Sequence, residues 1–140
     1  KLLGGDSMER VELPQLIELF KEGRIMAEID YNPQYNEVII ETPSICFIFW
    51  VNNEGKNKFH IVDKYDLTLG KNKLFDRAYR YLVDLNLNVI AYKPFVAKDD
   101  DGNSHSGMQI FICTGKHLLT LELYDDFHWY AEVKEGCHDD

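Results

Sequence analysis

The sequence predicts an α+β fold dominated by antiparallel sheet, with one helix and four strands occurring twice in succession. Three observations predict it. Two stretches carry apolar residues at helical spacing, and several others alternate apolar with polar residues. The connections between the strand-like runs are also short, which suits hairpins rather than crossovers.

Leu13, Leu16, Ile17 and Phe20 fall at i, i+3, i+4 and i+7, one face of a helix. Pro14 suits the first helical position and Gly23 the residue just past the last turn, so a helix spans 14–22. A strand follows directly, with Ile25, Ala27, Ile29 and Tyr31 alternating against Met26, Glu28 and Asp30. Asn32-Pro33-Gln34-Tyr35-Asn36 has turn composition, and a second strand covers 37–42.

Ser44–Val51 (Ser-Ile-Cys-Phe-Ile-Phe-Trp-Val) is the most apolar run and is read as a strand covered on both faces. It is far shorter than the roughly 20 apolar residues of a membrane span. A fourth strand covers 58–63, beyond a loop containing Gly55.

From Lys71 the period returns to helical. Leu74, Ala78, Tyr81, Leu82 and Leu85 share one stripe, predicting a helix over 72–86. Asn86 and Asn88 tolerate the left-handed conformation that ends helices. Four strands follow over 88–96, 107–114, 117–124 and 127–134. In the last, Phe127, Trp129, Ala131 and Val133 alternate with His128, Tyr130, Glu132 and Lys134. The recurrence of helix plus four strands suggests an internal duplication.

A chain of 140 residues with 45% hydrophobic residues builds a sizeable core without metal or disulfide, so residues 8–140 are expected to form a single domain. Residues 1–7 read as a vector-derived or disordered leader ahead of Met8. The three cysteines show no CxxC spacing. Cys46 and Cys113 lie in apolar strands, where free thiols act as small hydrophobes, and this usage suits a reducing, cytoplasmic setting.

The formal charge of −9 is unevenly placed. Residues 1–97 carry 12 basic and 14 acidic residues, whereas 98–140 carry three basic and ten acidic ones. Such an end repels phosphate backbones and attracts basic partners. In an up-and-down meander, the turns holding Asp99, Asp100, Asp101 and Asp125, Asp126 fall at the same end of the sheet. The sequence therefore predicts an acidic rim, with Trp129 and Tyr130 nearby on the last strand.

The same loop supplies the candidates for chemistry. Asp99, Asp101, His105 and His117 are ligand types for a divalent metal, and His105 and His117 are placed to meet across a hairpin. The loop lacks the calcium-loop spacing, since Ala97 stands where an acid is needed and no Glu closes it. Cys113 beside His105 or His117 would form a nucleophile and base, against the plainer reading of a core thiol. His60 and His128 each follow a Phe in a strand and are expected to face outward. Gly-x-Ser-x-Gly, GxGxxG, the phosphate-binding GxxxxGK[ST] and HExxH are all absent.

Two resemblances are local or coarse. Gly107-Met108-Gln109-Ile110-Phe111-Ile112-Cys113-Thr114-Gly115-Lys116-His117-Leu118-Leu119-Thr120-Leu121-Glu122-Leu123 resembles the first hairpin of ubiquitin with a turn two residues shorter. This implies a tight turn at Thr114-Gly115-Lys116 and no ubiquitin function. Aromatic residues Trp50, Trp129 and Tyr130 offer stacking surfaces. With them, the order of elements resembles single-strand binders of the Pur-alpha and Whirly type, although the charge opposes that role.

The expectation is a non-enzymatic acidic module that binds and inhibits a basic protein, with no cofactor and no membrane span. In charge and size it resembles immunity and anti-defence inhibitors as a class. A metal-dependent or Cys/His hydrolase and a nucleic-acid binder are the alternatives. The sequence sets no oligomeric state.

Overall fold

The computed structural model describes residues 8–137; the leader at 1–7 lies outside the described residues. The elements are β1 (Glu9–Arg10), α1 (Leu13–Glu22), β2 (Glu28–Asn32), β3 (Glu37–Glu41), β4 (Ile45–Val51) and β5 (Asn57–Asp63). They continue with α2 (Lys71–Asp76), α3 (Ala78–Asp84), β6 (Asn88–Lys98), β7 (Ser104–Cys113), β8 (His117–Tyr124) and β9 (Trp129–Glu135). The fold is α+β with two antiparallel sheets, ordered β2-β3-β4-β5 and β1-β9-β8-β7-β6. Each half is a helical segment followed by a four-stranded meander.

Helix α1 matches its expected span, with Pro14 in its first turn. Its buried Leu13, Leu16, Ile17, Leu19 and Phe20 enter the core cluster shared by both sheets. The second helix is a correction. It breaks at Arg77, and the two pieces pack on different strands, α2 on β5 and α3 on β6. One straight helix cannot lie along both. Asn86 takes the expected left-handed backbone, with φ 72°.

The sheets meet through aromatic rings. Phe49 on β4 lies 5.9 Å edge-on from Trp129 on β9 and 6.0 Å from Phe20 on α1. A bridge between Lys58 and His128 links β5 to the approach of β9, and the Phe59 N–H donates to the Phe127 carbonyl at 3.0 Å.

Strand β4 corrects the reading of Ser44–Val51 as covered on both faces. Ile45, Phe47 and Phe49 are buried, whereas Cys46, Ile48 and Trp50 on the other face are only partly buried. The core fills one side of the four-stranded sheet. Among the described residues, no helix is long and apolar enough to cross a membrane.

The cysteines are a second correction. Cys113 and Cys137 form a disulfide across a Cα–Cα distance of 5.5 Å, leaving Cys46 as the free thiol. The tail after β9 returns to the end of β7, where the Gly136 N–H donates to the Lys116 carbonyl. The inference of a reducing setting from three free thiols loses its basis.

Candidate functional site

Strands β6 and β7 form a long hairpin whose turn spans residues 99–103. The Asp99 carboxylate accepts the N–H groups of Asp101 (3.0 Å) and Asn103 (2.9 Å), and Gly102 supplies the positive φ the turn requires. Two strands along, the turn at 125–128 reverses the chain between β8 and β9, with Phe127 at φ 64°. Both turns lie at one end of the five-stranded sheet, joined by the Asp125 N–H donating to the Ser106 carbonyl at 2.9 Å.

His105 stands between the turns. Its Nε2 lies 2.9 Å from Asp99 Oδ2, its Nδ1 lies 3.3 Å from Asp125 Oδ1, and Asp126 Oδ2 is 3.9 Å away. A neutral imidazole donates from one nitrogen only, so two carboxylate partners select the doubly protonated cation. The hydrogen bond to Asp99 is the main cause that raises the His105 pKa, with Asp125 and Asp126 adding to it against burial. The same bond lowers the pKa of Asp99. Asp126 also hydrogen-bonds the His128 Nδ1, and the His128 ring stacks on Tyr124 with centroids 4.0 Å apart.

The sign of the pH dependence follows. A raised histidine pKa contributes stability fully below the unfolded value of about 6.5, and the contribution is lost as pH rises through the folded value. The depressed Asp99 contributes above its unfolded value of about 3.9, and that part is lost as pH falls. A proton NMR titration of His105 should give a midpoint above about 6.5; a midpoint at or below that value would contradict the ion-pair geometry.

The outer face of the sheet continues the site as a groove of about 690 Å³. Arg10, Lys56 and Lys58 line it together with Asp99, Asp100 and Asp101, which form the acidic lip. Tyr130 lies in the groove and donates to Glu132 Oε2 at 2.7 Å, which pushes its pKa up to about 12. Tyr124 donates to Glu122 Oε1 at 2.6 Å and has its pKa raised chiefly by burial.

The predicted residues thus divide. Asp99, Asp125 and Asp126 are engaged by imidazoles and backbone N–H groups, while Asp100 and Asp101 are exposed and, among the described residues, have no side-chain partner. Trp129 is a correction: it is 1% exposed in the core, and its buried indole N–H lacks a partner among the described residues. The outward alternation leaves only Tyr130 near the lip.

The proposed meeting of His105 and His117 is also corrected. Because β7 and β8 run antiparallel, their first residues stand at opposite ends of the hairpin. His117 instead pairs with Glu22 of α1 at 2.7 Å, where Thr114 also donates to the same carboxylate. The disulfide removes Cys113 as a nucleophile for either histidine. The tight turn holds, since the Thr114 N–H donates to the His117 carbonyl at 3.0 Å and Gly115 has φ 107°. His60 faces outward and is exposed; His128 is partly exposed.

Among the described residues, one group of donors is arranged to hold a metal. Ligand atoms of His105, Asp125 and Asp126 lie within 4.8 Å of one another, and of the predicted ligands Asp99, Asp101 and His117 are not part of that group. Each of the three already serves the hydrogen-bonded network. Compared with known proteins, the chain matches no family model, no curated protein and no solved structure.

Proposed function

We propose that the protein is a non-enzymatic acidic binding module that docks its acidic lip onto a basic protein, in the manner of an inhibitor. The observation that supports this reading is the state of Asp100 and Asp101. Both are exposed and, among the described residues, without side-chain partners at the tip of a turn that Asp99 braces through the N–H groups of Asp101 and Asn103 and through His105. A turn whose backbone is braced ahead of binding loses little freedom on contact, and exposed charges on it speed encounter with an oppositely charged surface.

The variant that tests it is Asp100→Asn with Asp101→Asn. Asp125→Asn and Asp126→Asn would disturb the His105 network and confuse folding with binding. Affinity capture from the source cells, read by mass spectrometry, should retain a basic protein on the wild-type chain and lose most of it on the double variant, with an unchanged melting curve. Equal retention by both chains would contradict the reading.

The hydrolase alternative requires a cation at His105, Asp125 and Asp126, which would have to displace the imidazole proton. Chelator, zinc or manganese should leave the melting temperature unchanged; a metal-dependent rise would favour that alternative. Nucleic-acid binding would rely on Trp50 and Tyr130 for stacking, and the negative lip opposes it.

A further inference from the structure

The outer face of the four-stranded sheet carries an apolar centre that the core does not use. Strand alternation places Ile39 on β3, Cys46, Ile48 and Trp50 on β4, and Val62 on β5 on that face, all partly exposed. A solvated sheet face is expected to carry polar residues at these positions. The free edge at β6 is different, because it bears the devices that discourage pairing: a bulge at Ile90, Pro94, and Lys93 and Lys98.

The registers across this face are informative. One row runs Asp30, Ile39, Ile48, His60, and the next runs Asn32, Glu37, Trp50, Lys58. Acidic groups occupy the β2–β3 side and basic or imidazole groups the β5 side. Glu41 and Lys64 neutralise each other as an ion pair at the end near Cys46.

We propose that this face binds a second copy of the chain about a two-fold axis parallel to the strands, between β3 and β4. That operation reverses the order of strands and preserves the rows. Ile39 of one copy then lies over Ile48 of the other, and Asp30 faces His60, while the Lys58 ammonium is held by the Asp126 carbonyl at 3.1 Å. An axis across the strands would instead set the acidic edges against each other. The paired region measures about 19 Å by 17 Å from strand spacing and rise. With side-chain relief the two copies bury on the order of 1,000 Å², the lower bound for a specific interface. The dimer leaves the acidic lip free and meets the groove only at Lys58, so it goes beyond the proposed binding role and presents two lips.

Sedimentation equilibrium of the full chain between 1 and about 100 µM tests the pairing, this range bracketing ordinary dimer affinities. Wild type should approach twice 16.4 kDa. Ile48→Asp should raise the dissociation constant at least about 100-fold by placing an unpaired charge at the centre. Asp30→Lys, at an exposed edge position, gives the same direction without risk to the core. In the dimer the two Cys46 Cα atoms stand about 11 Å apart from sheet and strand spacing, so a short bis-maleimide should cross-link wild type and not Ile48→Asp. A wild-type monomer throughout, or a dimer unchanged by both substitutions, would overturn the proposal.

Discussion

Phe49→Ala should lower the folding free energy by about 3–5 kcal/mol, the largest effect expected of any single substitution in the chain. Phe49 is fully buried, and its ring has Phe47 at 5.5 Å, Trp129 at 5.9 Å, Phe20 at 6.0 Å and Phe59 at 6.4 Å. Those partners come from α1, β4, β5 and β9, so the cavity would open where both sheets and the first helix converge. A domain of this kind is stabilised by about 5–15 kcal/mol, and the variant would approach the unfolding threshold. Trp50→Ala, one residue along and on the opposite face, should cost about 1 kcal/mol. Chemical denaturation of both variants checks the contrast, and equal midpoints would contradict the one-sided core.

Reducing the Cys113–Cys137 disulfide should cost about 3 kcal/mol, because the cross-link closes a loop with a sequence separation of 24. The bond fastens the tail after β9 to the end of β7, so the loss falls on the register of the five-stranded sheet. Thermal melts with and without reductant measure it, and Cys113→Ser with Cys137→Ser should reproduce the reduced curve. An unchanged melting temperature would show that the tail adds nothing to the fold.

Much of the fold is legible because alternation and helical spacing are local properties. The stripe of Leu13, Leu16, Ile17 and Phe20 defines α1, and the antiparallel meanders follow from short loops. The break at Arg77 is not legible, since Leu74 through Leu85 keep one continuous stripe; it arises from tertiary packing on two strands. The run at 44–51 misleads for a different reason. Its outward residues Cys46, Ile48 and Trp50 are apolar although the core does not need them, and the proposed dimer accounts for this.

The candidate site is legible in part. Meander topology places the 99–101 and 125–126 turns at one end, as the structure has them. The convergence of three carboxylates on His105 depends on register and on side-chain direction, which spacing does not give. Two errors had a signal available. Antiparallel strands separate His105 from His117, and the alternation of Phe127, Trp129, Ala131 and Val133 already assigns Trp129 to the core rather than to the rim.

The measurement that bears most directly on the binding role is the association rate with the captured basic protein, followed at low salt and at 0.15 M. Wild type should associate fast at low salt and slow markedly at 0.15 M, where screening acts over about 8 Å. The Asp100→Asn and Asp101→Asn double variant should associate more slowly at low salt, with a weaker salt dependence and a smaller change in dissociation rate. Equal association rates and equal salt dependence for the two chains would contradict docking through the acidic lip.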